Sequence, residues 1–209
     1  MESFLVVASV IINQSQDVSN LRSVADRLHT SVIEVKASRD EEESTWGTGV
    51  LLGNGLALTA LHSVGTASAA GKIMPMRNIA AIVYDHGAVR AHVVAVAAEL
   101  DLALLRLDSI DTPEAAPLAS EAPSVGDHLV AMGARNEEIV AAGVTVSKSA
   151  VDGSLVFTSP RKVDSRFWGG PVFDGEGHLT AMTLESMGSI KAVSIASLRS
   201  LIDQASSVQ

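Results

Sequence analysis

The chain contains no cysteine. Disulfide frameworks, thiolate nucleophiles and cysteine-held metals are thereby excluded. A chain without disulfides fits a reducing compartment, and the expected location is the cytoplasm. Aromatic side chains are scarce: two Trp, one Tyr and four Phe, 3% of 209 residues. Hydrophobic residues still make up 47%, so a sizeable core can form, built from Val, Leu, Ile and Ala. Basic runs are also missing. The formal net charge is −9, which argues against nucleic acid or an anionic membrane surface as partner. The densest charge run is acidic, Asp40-Glu41-Glu42-Glu43, and reads as a solvated loop. No apolar run reaches the ~20 residues that a spanning helix needs. The N-terminal run, Phe4 to Ile12, has neither a basic start nor a clear small-residue cleavage site. It reads as a strand or a docking segment within residues 1–17, through which the chain can oligomerise.

What is present is a long series of short β signals. One amphipathic helix is expected near 18–29, where Val18, Leu21, Val24 and Leu28 recur at helical spacing. From Ser31 onward, runs of Val, Ile, Leu and Thr alternate with Gly, Asn and Asp. Strands are expected at 31–37, 46–52, 56–61, 79–84, 88–98 and 102–107. A second set occupies 127–133, 139–147, 154–159, 170–174, 178–184 and 190–195. Gly53-Asn54-Gly55 and Asp174-Gly175-Glu176-Gly177 read as hairpin turns. A closing helix is expected over Ala196 to Gln204, with Leu198, Leu201 and Ile202 on one face. Two sets of about six strands predict an all-β protein, sandwich or barrel; strand spacing alone does not choose between them. The expected divisions are 18–110, a linker 111–126, and 127–209.

Five histidines, His29, His86, His92, His128 and His178, show no metal-ligand spacing, and no cofactor or phosphate motif occurs. No metal and no cofactor are expected. The sixth, His62, comes after an apolar strand in Thr59-Ala60-Leu61-His62, with Gly47-Thr48-Gly49-Val50 upstream. Asp101 opens the apolar run Asp101-Leu102-Ala103-Leu104-Leu105. Far downstream comes Arg166-Phe167-Trp168-Gly169-Gly170-Pro171-Val172-Phe173-Asp174.

Together these blocks resemble trypsin-like serine proteases, in particular bacterial, HtrA-like members. Their patterns there are Thr/Ser-Ala-x-His, an Asp entering a strand, and Gly-Phe-Ser-Gly-Gly-Pro-Val-x-Asp. Val125-Gly126-Asp127 through Gly133 resembles the entry to that family's second barrel. The resemblance covers roughly residues 20–205. It implies two six-stranded antiparallel barrels with an N-terminal and a C-terminal helix. It also implies that His62 holds the base position and Asp101 the acid position. Two departures stand out. The nucleophile position holds Trp168, whose indole cannot attack a carbonyl. The residue two before it, glycine in the family, is Arg166. The family's oxyanion hole is built from the N–H groups of those two positions, here Arg166 and Trp168, and arginine does not reach glycine's backbone angles. An alternative register aligns Asp164-Ser165 with the family's Asp-Ser and makes Ser165 the nucleophile. It requires an insertion before Gly-Gly-Pro, whereas Phe167 matches the family without one. Lys162 falls where the family carries a specificity residue, and Ser186-Met187-Gly188 where it borders the substrate groove. The expected function is a protease homologue without turnover, binding a protein or peptide partner. The alternative is a serine endopeptidase that uses Ser165 or a rearranged site in which Trp168 moves aside.

Overall fold

Helix α1, Asp17–Leu28, forms over the segment with helical periodicity and buries Leu21, Val24 and Ala25. The structure is a computed structural model, and it describes residues 9–10, 17–39, 44–67, 73–108, 115–160, 163–185, 189–199 and 202. The described part of the N-terminal apolar run is strand β1, Ser9–Val10. The acidic run 40–43 lies outside the described residues.

The first barrel holds β2 (Val32–Ser38), β3 (Ser44–Gly53) and β4 (Leu56–Ala60). After a small hairpin, β5 (Gly65–Ala67) with β6 (Ile73–Pro75), come β7 (Asn78–Val83), β8 (Gly87–Ala97) and β9 (Leu102–Leu107). The ring closes in the order β2-β3-β4-β9-β8-β7. The β5–β6 hairpin is absent from the strands expected above, because its strands are three residues each and too short to display a period.

The second barrel holds β10 (His128–Arg135), β11 (Glu138–Ser149), β12 (Ser154–Thr158), β13 (Pro171–Phe173), β14 (Leu179–Glu185) and β15 (Ile190–Ser194). Strand β11 closes this ring by serving two neighbours. Its first part pairs with β10, and its last part pairs with β12 across a register shift between Val146 and Lys148. Such a shift bends a strand and raises its twist, as closure requires. β1 runs parallel to β11, opposite Val140 and Ala141, on the side where β12 has turned away. The architecture is all-β: two closed six-stranded antiparallel barrels and one short N-terminal helix. Of the expected C-terminal helix, the described part opens with a 3-10 turn, Ile195–Leu198, and continues α-helical at Arg199 and Ile202, with Leu198 and Ile202 buried. Leu201 and residues 203–204 lie outside the described residues.

Each barrel has its own interior. That of the first is aliphatic, including Ile33, Val35, Leu51, Ile79 and Leu105; the second adds Phe157 and Phe167. A third cluster welds the barrels face to face. Leu56, Leu58, Leu102 and Leu104 meet Val130, Met132, Phe173, Leu179 and Met182, with α1 at the edge. β4 and β9 therefore bury both faces, odd positions inward and even positions toward the other barrel. This explains why their sequences are continuous apolar runs without alternation. Three short segments meet at the junction of the barrels: the turn just after β4, the turn just before β9 and the turn just before β13.

Candidate functional site

His62 sits in a 3-10 turn, Leu61–Ser63, directly after β4. Asp101 precedes β9 and takes left-handed angles, φ 52° and ψ 44°. Asp residues tolerate this region better than most. The conformation lets one residue hold the His62 turn at three points. Leu61 N–H donates to the Asp101 carbonyl at 2.8 Å. His62 N–H donates to Asp101 Oδ1 at 3.0 Å, and His62 Nδ1 lies 2.5 Å from Oδ2. A carboxylate only accepts, so Nδ1 carries a proton toward Asp101, and Nε2 is the ring nitrogen that this bond leaves uncommitted. Both side chains remain open to water, 40% and 38% exposed.

Trp168 meets His62 edge to face, ring centroids 5.8 Å apart and planes at 81°. The structure thus brings together three residues that the sequence holds far apart. Ser165 is not part of that contact. It opens a 3-10 turn, Ser165–Phe167, and among the described residues its hydroxyl makes no hydrogen bond to His62.

This turn consumes the backbone donors. Asp164 caps it, its Oδ1 accepting from Arg166 N–H at 3.0 Å. Phe167 N–H donates to the Asp164 carbonyl and Trp168 N–H to the Ser165 carbonyl, at 3.2 and 3.1 Å. The N–H groups of Arg166 and Trp168 are therefore bonded inside the turn, not aimed at one point in the cleft. The Arg166 side chain tightens the lock. Its Nε and Nη2 grip the same Asp164 carboxylate at 2.9–3.1 Å, and Glu138 stands 3.8 Å away. The carboxylate holds the guanidinium above its ordinary pKa. The sequence motifs do not single out Asp164 for this role; its signal is a cap residue just before a turn.

The turn is fixed from beneath as well. Thr183 Oγ1 donates to the Phe167 carbonyl and accepts from Gly170 N–H. Thr48 Oγ1 donates to the Arg166 carbonyl at 2.6 Å and accepts from Ala134 N–H at 2.8 Å. Thr48 N–H donates to the Trp168 carbonyl at 2.8 Å. The two glycines after Trp168 answer to this packing. Gly169 has φ +72°, and a Cβ there would lie 2.5 Å from Thr48 O and 2.7 Å from Ala60 N. At Gly170 a Cβ would run into Met132 O. Gly169 is thus required by the approach of the first barrel and Gly170 by the neighbouring strand of its own barrel, with or without a nucleophile before them.

Lys162 and Ser186-Met187-Gly188 lie outside the described residues. Among the described residues no group of three or more His, Asp or Glu is placed to hold a metal, and no helix is long and apolar enough to cross a membrane.

Comparison with known proteins agrees with the double-barrel fold. In overall structure the chain is similar to the Rv3671c protease from M. tuberculosis in its active form: TM-score 0.76, 14% identity, covering 100% of this chain and 95% of that one. The inactive form of the same protease gives TM-score 0.71 and 16% identity, over 94% and 98% of the two chains. A serine endoprotease from Yersinia pestis gives TM-score 0.74 and 20% identity, covering 93% of this chain and 68% of that one. No curated protein sequence matches. Residues 47–182 match the trypsin-like peptidase domain family, a span that runs from β3 to β14 and includes His62, Asp101 and Gly-Gly-Pro, and the chain belongs to that family.

Proposed function

We propose that this chain is a trypsin-like peptidase homologue without peptidase turnover, acting as a protein- or peptide-binding module. One observation carries the reading. The position that faces His62 is filled by the Trp168 indole, and both neighbouring N–H donors are already bonded within the Asp164-capped turn. Acyl transfer needs a hydroxyl beside the base and donors aimed at the oxyanion. In this reading His62 and Asp101 occupy the base and acid positions, and neither requirement is met around them. An extended peptide can still be held by main-chain hydrogen bonds, which make no use of a nucleophile.

The competing reading, a serine endopeptidase using Ser165, requires that hydroxyl to reach His62. A fluorophosphonate probe separates the two, because it labels only an activated serine. The purified chain is expected to stay unlabelled, as is Ser165→Ala. Labelling of the unaltered chain that disappears in Ser165→Ala would establish the endopeptidase instead.

A further inference from the structure

The outer face of the first barrel carries a groove remote in sequence from the Trp168 turn. Strands β3, β2, β7 and β8 lie side by side in this order. Their register lines up one row, with Trp46 opposite Lys36, Lys36 opposite Ala80, and Ala80 opposite Arg90. The chain neighbours of that row, Val35, Ile79, Ala81 and Ala91, fill the barrel interior. Alternation therefore turns the row itself outward. From the second barrel, Arg135 at the end of β10 lies over Trp46, its guanidinium carbon 3.6 Å from the ring centroid. Arg77 joins the rim, its N–H bonded to the Ser38 carbonyl at 3.1 Å. The depression so formed has a volume of about 590 Å³.

Its charge is opposite to that of the molecule. The chain has 15 Lys and Arg against 24 Asp and Glu. Yet Lys36, Arg77, Arg90 and Arg135 line this groove against a single described carboxylate, Glu34. Glu34 is buried and already engaged, by Lys36 at 3.5 Å and by Glu137 N–H at 3.3 Å. His92 at the far side is paired with Asp108 at 3.3 Å.

We propose that this groove binds a carboxylate-rich peptide segment of a partner protein. Guanidinium forks match carboxylates two bonds at a time, and three of the four cations are arginines. Arg135 is held in place by Trp46, so less side-chain freedom is lost when it binds. Four strands at about 4.8 Å spacing span roughly 14 Å, the length of about four extended residues. Nucleic acid fits less well. Arg135 already covers a face of the one lining Trp that would stack a base. The assignment is independent of whether the central cleft turns over peptide.

The test is fluorescence anisotropy of a short fluorescein-labelled Glu/Asp-rich peptide with the full chain. Saturable binding that weakens as salt rises is expected. Lys36→Glu with Arg90→Glu should weaken it about tenfold or more, and Arg135→Ala should weaken it as well. Arg90 is exposed and the Lys36 side chain is 49% exposed, so the fold should survive, as far-UV circular dichroism will check. Lys148→Glu, a charge reversal on β11 outside the groove, should change affinity less than about twofold. Gln at Glu41, Glu42 and Glu43, in the acidic run between β2 and β3, should leave affinity equal or higher. The proposal is overturned by absence of saturable binding or by a Lys148→Glu loss equal to that of the groove variant. Weaker binding after the Gln changes, or displacement of the peptide by an equally charged single-stranded oligonucleotide at lower concentration, would overturn it too.

Discussion

Trp168→Ser combined with Arg166→Gly is expected to convert an unlabelled chain into one that a fluorophosphonate labels. Three conditions must be met together. A hydroxyl must stand beside His62, and Trp168→Ser supplies it where the indole now touches the ring. The His62 base must be oriented, and Asp101 already grips it through Nδ1 and the backbone. The donors must leave the 3-10 turn. Arg166 closes that turn with its side chain and its N–H, both on Asp164. Glycine removes the side-chain grip and gives the backbone the angles that arginine lacks. Trp168→Ser alone should therefore label far more slowly than the double change. Loss of oxyanion donors costs about 10²- to 10³-fold, and that is the expected gap between the single and double variants. Adding His62→Ala to the double variant should abolish labelling. A folded double variant that remains unlabelled would show that the two substitutions do not restore a working site, and would remove the support this experiment offers for the roles proposed for His62 and Asp101.

Thr48→Val is expected to cost more stability than its size implies. The substitution keeps the shape and removes one hydroxyl. Thr48 is fully buried, and its Oγ1 joins Ala134 N–H of the second barrel to the Arg166 carbonyl of the turn. Valine would leave the buried Ala134 N–H and the part-buried Arg166 carbonyl without this partner. At about 1–3 kcal/mol for each such group, the expected loss is about 2–6 kcal/mol. For a chain of this length that lowers Tm by roughly 4–24 °C in a calorimetric scan. Thr48→Ser keeps the hydroxyl and loses only a methyl group, so it should cost about 1 kcal/mol. Equal melting of the Val variant and the unaltered chain would mean that Thr48 is not a joint between barrels.

Strand positions were largely legible because period and punctuation are local. The expected strand at 102–107 is β9, Leu102–Leu107, and that at 88–98 is β8, Gly87–Ala97. Gly53-Asn54-Gly55 is a turn, all three residues at positive φ. The β5–β6 hairpin escaped because three-residue strands have no readable alternation. In the candidate site, separate motifs single out His62, Asp101 and Trp168, and the fold places them in contact. The part Asp164 plays was not legible. A cap that locks Arg166 depends on the turn being 3-10, which the residue string does not state. The cationic row was equally hidden, since Lys36, Arg90 and Arg135 become neighbours only through register and through the second barrel.

By itself the sequence determined an aliphatic core, two sets of short strands, an acidic composition, and an indole directly before Gly-Gly-Pro. These come from composition and from spacings of a few residues. Only the tertiary structure decided where the donors of Arg166 and Trp168 point, and that one barrel face gathers cations. Both depend on hydrogen bonds and pairings between distant residues; the Thr48–Arg166 bond alone spans 118 positions. No local pattern encodes such a bond, because its geometry exists only once the two barrels have closed and met.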